Sequence, residues 1–155
     1  MKITCREART DDLAILNQFQ RGIIDAEAKY IPRRRNEAYY YYDLSELMKA
    51  SDVRIAVAEF DGQLISSGYA KKVASKTYLE HAFHAYVGFM YTRPEYRGQG
   101  VARQVLNYLG DWATSQGIDE LRLDVFAGNT QAIRAYEKAG FEPNLLEMRL
   151  QLHAD

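Results

Sequence analysis

The sequence is poor in the residues that cross-link a chain, break it or charge it in one direction. Of 155 residues, one is cysteine, three are proline and one is tryptophan. The lone thiol, Cys5, cannot form an internal disulfide, and one cysteine with three histidines gives no zinc-finger spacing. Cys5 falls in a predicted first strand and reads as a small buried hydrophobe. No run of about 18 apolar residues occurs, the length a membrane-spanning helix needs. Met1-Lys2-Ile3-Thr4-Cys5-Arg6-Glu7 lacks the apolar core of a signal peptide, so the expectation is a soluble, cytoplasmic protein with no membrane partner. An excess of one charge is missing too. Twenty Lys and Arg face 21 Asp and Glu, for a net charge of −1, which excludes the footprint of a general nucleic-acid binder.

What is present is ordinary globular material: 47% hydrophobic and 26% charged residues, enough apolar side chains to build a core and too few charges for wholesale disorder. A chain near 150 residues buries roughly 70% of its unfolded surface without disulfides or metal. Residues 1–155 therefore read as one domain, with no repeat, linker or low-complexity stretch.

Periodicity supplies the elements. Ile3 to Ala8 is strand-like. Thr10 suits an N-cap, and Leu13, Leu16, Phe19, Ile23 and Ile24 recur at helical spacing, which predicts a helix over 11–26. A second helix is expected over 37–50, carrying Tyr39-Tyr40-Tyr41-Tyr42. Strands follow over 53–60 and 63–73, joined by an Asp61-Gly62 hairpin turn, and over 83–92, ended by Pro94. A helix over 98–116 shows the stripe Val101, Val105, Leu109, Trp112, closed by Gly117. A buried strand over 121–126, a helix over 130–139 capped by Asn129, and a strand pair over 141–143 and 146–152 complete the chain.

Two stretches carry chemistry. Arg93-Pro94-Glu95-Tyr96-Arg97-Gly98-Gln99-Gly100-Val101-Ala102 joins a strand to a helix. Glycines let the backbone turn tightly and approach a ligand, and the first helical N–H groups have no internal acceptors. This is a site for a phosphate or pyrophosphate, or a glycine-rich turn and nothing more. It is no Walker loop, since no Gly-Lys-Ser/Thr follows, and no dinucleotide fingerprint, since the third glycine is missing. Further on, Asn129 and Tyr136 sit seven residues apart, nearly two helical turns, on one face about 10 Å from each other. They could touch two points of an extended ligand, or serve as a plain cap and a packing ring.

Taken together, Arg97-x-x-Gly100-x-Ala102 between strand and helix, followed by Asn129 and Tyr136-Glu137-Lys138-Ala139-Gly140-Phe141, resembles the GNAT superfamily of coenzyme A-dependent N-acyltransferases. The resemblance is strongest from Tyr86 to Phe141 and weak over the first 50 residues. It implies an α+β fold: a mixed, mostly antiparallel sheet of about seven strands with helices on both faces. It implies acetyl-CoA as co-substrate and no metal. Met90-Tyr91-Thr92 would be the bulged strand whose backbone pairs with the pantetheine arm and polarises the thioester carbonyl. Backbone N–H groups of Gly98, Gln99, Gly100, Val101, Ala102 and Arg103 would hold the pyrophosphate, beside Arg97. Asn129 would contact the coenzyme arm, and Tyr136 would protonate the departing thiolate. A phenol of pKa about 10 suits a thiol of pKa about 8.5.

The incoming amine must lose a proton. Asp124, set in the predicted strand with side-chain parity opposite to Leu123 and Val125, is the first candidate for base. In the ribosomal-protein N-terminal acetyltransferase branch a catalytic glutamate occupies the matching position, and the shorter Asp would call for a bridging water. His84 is the second candidate, alternating onto the strand face of Tyr86, Gly88 and Met90. Tyr39 to Tyr42 fall where the family often lines its acceptor pocket. No Ser or Cys sits in a nucleophile motif, so direct attack in a ternary complex is expected. The acceptor is read as a small-molecule amine or a single peptide amino group. The alternatives are a protein N-terminal or lysine acetyltransferase and a non-catalytic acyl-CoA sensor. A homodimer is also expected from the resemblance.

Overall fold

The computed structural model describes residues 1–153, which divide into two compact units, Met1–Asp124 and the described residues from Val125 onward. The first unit holds strands β1 (Thr4–Glu7), β2 (Val53–Phe60), β3 (Gln63–Ala74), β4 (Phe83–Thr92) and β5 (Leu121–Arg122), and helices α1 (Leu13–Glu27), α2 (Leu44–Lys49) and α3 (Val101–Ser115). The second holds α4 (Thr130–Lys138).

The five strands form one sheet in the order β1-β2-β3-β4-β5. The first four run antiparallel to their neighbours, and β5 lies parallel to β4. The β2–β3 hairpin turns at Asp61 and Gly62, both at positive φ (54° and 77°), the mirror-image turn whose twist matches that of the strands. Alternation along β2 sorts the two faces. Ile55 and Val57 join Leu16, Phe19 and Ile23 of α1 and Leu44 of α2 in one buried cluster. On the opposite face α3 lays down its stripe of Val101, Val105, Leu109 and Trp112, all buried. Each such apolar side chain contributes about 1.5–3 kcal/mol on leaving water. The expected α+β architecture, a mostly antiparallel sheet with helices on both faces, is the one observed, with five strands among the described residues in place of seven.

The differences have physical reasons. The second helix shrinks to Leu44–Lys49 because Asp43 caps it, accepting from the Glu46 N–H at 3.2 Å. Tyr39 to Tyr42 lie in the loop before it. Asp12, not Thr10, stands at the N-cap of α1 and makes no side-chain cap bond there; its carboxylate reaches back to accept the Arg9 N–H at 2.7 Å. Strand β5 stops at Arg122, so Asp124 lies past its end and not within it. The described residues 141–153 form no strand, and Leu146, Met148, Leu150 and Leu152 are exposed. Their alternation with Glu147, Arg149 and Gln151 has the period of a strand but makes no ladder. Cys5 is half-buried on the outermost strand, and burial pushes its thiol pKa up. No helix among the described residues is long and apolar enough to cross a membrane, and no group of three or more His, Cys, Asp or Glu among them could hold a metal ion.

Candidate active site

The site grows from an irregularity in β4. The β3–β4 ladder pairs Tyr69 with Gly88 and Ser67 with Tyr91, so Phe89 and Met90 together oppose Gly68 alone. That is a β-bulge, and its extra residue twists the strand. Phe89 takes up the twist at φ 56°, in the left-handed region that a bulky side chain rarely enters. Two buried serines hold the distortion. Ser67 Oγ donates to the Phe89 carbonyl at 3.1 Å, and Ser66 Oγ donates to that of Tyr91 at 2.6 Å. On the other edge the β4–β5 ladder pairs only Ala85 with Leu121 and Tyr86 with Arg122, ending before the bulge.

The bulge also inverts side-chain parity. Tyr86 and Phe89 face α1 and α2, touching the tyrosine cluster there. Met90 is turned to the α3 side: a Cβ added at Gly68 would meet Met90 Sδ at 2.5 Å and Val105 at 3.0 Å. The expected shared face of His84, Tyr86, Gly88 and Met90 therefore fails at Met90. The expected distortion over Met90-Tyr91-Thr92 begins one residue earlier, at Phe89. Gly88 is required by close approach, since a Cβ there would lie 2.2 Å from the Tyr69 ring.

Against the bulge lies the tyrosine segment. Gln20, 1% exposed on α1, accepts the Tyr41 and Tyr42 N–H groups at 2.9 and 2.8 Å and donates to the Tyr42 carbonyl at 3.2 Å. A buried amide satisfied in this way fixes an otherwise irregular segment. Tyr42 then packs on Tyr69 (ring centroids 5.3 Å apart) and Phe89 (5.6 Å), and its hydroxyl oxygen accepts the Phe89 N–H at 3.2 Å. Burial pushes the Tyr42 phenol pKa up, and that of Tyr69 to about 12. Tyr39 and Tyr41 stack beside them at 5.9 Å, while Tyr40 is exposed with the Arg21 guanidinium over its ring. A concavity of about 390 Å³ is lined in part by Tyr40, Tyr41 and Tyr42.

Of the two candidate bases, Asp124 accepts a hydrogen bond from the Tyr86 hydroxyl at 3.2 Å. Burial and the Asp124 charge hold the Tyr86 proton far above the ordinary phenol range. Tyr86 in turn sits edge-on to Tyr69 at 6.4 Å, so Asp124 closes a file of rings that begins at the bulge. His84 lies along β4, with Nδ1 3.0 Å from the Ser75 hydroxyl. Burial, then the neighbouring Arg122 charge, lower its pKa, so the imidazole is neutral at pH 7.

Beyond β4 the chain makes a short turn at Pro94–Tyr96 and enters α3. Arg97 Nε donates to the Thr92 carbonyl at 2.9 Å and the guanidinium lies over the Tyr91 ring. The Gln99 side chain donates to the Glu95 carbonyl at 3.1 Å. Gly98 and Gly100 stand at φ 73° and 80°, and an added Cβ at either would meet open space. Gly100 is the N-cap of α3 and offers no side-chain acceptor, so no N-cap side chain covers the start of the helix.

Asn129 and Tyr136 lie in the second unit. Asn129 caps α4, its Oδ1 accepting the Ala132 N–H at 3.2 Å. The Tyr136 carbonyl accepts the Phe141 N–H at 3.0 Å, and the two rings meet edge-on at 5.7 Å. Both residues are thus on α4 or at its cap, where spacing put them.

Sequence reasoning missed Gln20, Ser66, Ser67 and the acceptor role of the Tyr42 hydroxyl. One signal existed: polar residues inside an apolar helix stripe (Gln20) and a central strand (Ser66-Ser67-Gly68) demand buried partners.

The model of the acetyltransferase (GNAT) family matches residues 21–141. An uncharacterized N-acetyltransferase of Bacillus subtilis, YycN, is 44% identical over 57 residues, 37% of this chain and 36% of that protein. Aminoglycoside N(6')-acetyltransferase type 1 of Salmonella typhimurium is 26% identical over 103 residues, 64% of this chain and 70% of that one. The chain thus spans about a third of the length of YycN. The crystal structure of a predicted acetyltransferase from Clostridium acetobutylicum, with acetyl-CoA, superposes with a TM-score of 0.74 at 20% identity, covering 97% of each chain.

Proposed function

The chain belongs to the acetyltransferase (GNAT) family, and from that premise we propose that it transfers an acetyl group from acetyl-CoA to a primary amine by direct attack in a ternary complex. The observation that carries the reading is the bulge at Phe89 and Met90, followed within the same unit by the uncapped, glycine-bordered start of α3. The first is a backbone donor turned out of a ladder, suited to an acyl oxygen that gains charge in the reaction. The second suits a pyrophosphate, by a helix start that no N-cap side chain covers and by the positive end of the helix.

In this reading the amides of Gly98, Gln99, Gly100, Val101, Ala102 and Arg103 hold the pyrophosphate, and Met90-Tyr91-Thr92 run beside the pantetheine arm. Asn129 contacts that arm. The amine attacks the thioester carbon, and the carbonyl oxygen leans on the Phe89 N–H. Asp124, held by Tyr86, takes the amine proton, with neutral His84 as the rival base. An amine of pKa about 10.4 needs such help, because freeing its lone pair at pH 7 costs roughly 4–5 kcal/mol. As the tetrahedral adduct collapses the C–S bond breaks, and Tyr136 gives the thiolate its proton.

The acceptor we propose is a small molecule carrying a primary amine, or a single peptide amino group. Aromatic faces at Tyr41, Tyr42, Tyr69 and Tyr86 together with the Asp124 carboxylate favour a cation with an apolar body. Likeness to an aminoglycoside acetyltransferase supports the small-molecule choice. Initial rates with both substrates varied test the mechanism. Lines intersecting in a double-reciprocal plot are expected, and parallel lines would mean a covalent acetyl-enzyme instead.

A further inference from the structure

We propose that the Tyr42 hydroxyl holds the place of the acyl oxygen in the free protein, and yields the Phe89 N–H when an acyl thioester arrives. The inference rests on the acetyl-CoA reading and adds to it the residue that controls its backbone donor. Left-handed Phe89 aims its N–H away from the ladder, and a buried donor without a partner is costly. Tyr42 removes that cost, its oxygen standing 3.2 Å from the Phe89 nitrogen.

The contact is built and not accidental. The backbone of Tyr42 is clamped on both sides by the buried Gln20 amide, and its ring is wedged between Tyr69 and Phe89. Ser67 fixes the Phe89 carbonyl, which holds the peptide that follows the donor and with it the bulged backbone on that side. Burial keeps Tyr42 a neutral phenol over the working pH range, so it accepts as a neutral oxygen and is displaced without expelling a charge. An N–H offers one proton to one good acceptor. Phenol and acyl carbonyl therefore compete for it, whereas free coenzyme A has no acyl oxygen and leaves the Tyr42 bond intact.

This predicts a difference between two ligands that share every other contact. In the wild-type chain acetyl-CoA exchanges one hydrogen bond for another. In Tyr42→Phe the Phe89 N–H is unpaired until acetyl-CoA supplies an oxygen, while coenzyme A never supplies one. Calorimetry with acetyl-CoA and with coenzyme A, on wild type and Tyr42→Phe, tests it. Acetyl-CoA should bind the variant more tightly by roughly 5–30-fold, the value of satisfying a buried donor. Coenzyme A should bind both proteins equally, which also reports that the variant is folded. Equal shifts for the two ligands, no shift, or a selective loss of acetyl-CoA affinity would each overturn the exchange. Failure of the wild type to bind either ligand would instead overturn the acetyl-CoA reading itself.

Discussion

The Tyr86 hydroxyl donates to the Asp124 carboxylate across 3.2 Å, linking a residue of β4 to one just beyond β5. The bond orients a carboxylate that no strand ladder holds, and spends one of its acceptor sites on a neutral donor. If Asp124 receives the amine proton, Asp124→Asn should cut turnover by roughly 10²–10⁴ near neutral pH. Part of that loss should return at high pH, where more of the amine is already neutral. Tyr86→Phe should cost less, about tenfold, with the wild-type pH profile. A loss in Asp124→Asn that is uniform across the pH–rate profile would mark Asp124 as structural and shift the role to His84.

Tyr136→Phe keeps the edge-on ring contact with Phe141 and removes the proton. Turnover should fall by roughly 10²–10⁴ with acetyl-CoA affinity little changed. Wild-type turnover would reduce Tyr136 to packing.

Gly100 separates strain from charge at the start of α3. At φ 80° any side chain costs about 1–2 kcal/mol in backbone strain, yet a Cβ there meets no atom within 4 Å. Gly100→Ala should therefore lower the melting temperature and still bind acetyl-CoA, whereas Gly100→Glu should carry the same strain and abolish binding. Calorimetry showing the two variants bind alike would remove the pyrophosphate from this turn.

Acid stability should depend on Asp12. Arg6 donates to both of its carboxylate oxygens, at 2.9 and 3.1 Å, and also to Glu59 at 2.7 Å, which joins β1, β2 and the approach to α1. The Arg6 hydrogen bonds hold the Asp12 pKa below the usual carboxylate range. A group whose folded pKa is depressed stabilises above its unfolded value of about 3.9 and loses that contribution as pH falls through the folded value. Asp12→Asn should cost about 2 kcal/mol at pH 7 in urea unfolding, a gap that narrows below about pH 4. A gap that stays constant as the pH is lowered toward 2 would refute the linkage.

Much of this fold was legible because its strands announce themselves. Val53 to Phe60 and Phe83 to Thr92 follow β-branched and aromatic runs, and Asp61-Gly62 names its own turn. Gly98 and Gly100 were legible as the border of a helix start, and Asn129 as a cap. The bulge was not. One inserted residue leaves the run of strand-forming side chains intact and only inverts the faces after it, so Met90 was assigned to the wrong side. The tyrosine loop was hidden for another reason. Local propensity allowed a helix over 37–50, and the competitor, Gln20, lies 21 residues from Tyr41 in sequence. The strand expected over 146–152 had its alternation but finds no ladder partner among the described residues.

Movement of an acetyl group from acetyl-CoA to an amine is read by thiol release from acetyl-CoA with a panel of primary amines, small molecules and single-amine peptides side by side, at two salt concentrations. Release should require an amine, be matched by N-acetylated product, and be little affected by salt for a small acceptor, because a net charge of −1 gives no field to screen. Tight acetyl-CoA binding with no amine-dependent release from any acceptor would contradict that transfer and leave a coenzyme sensor in its place.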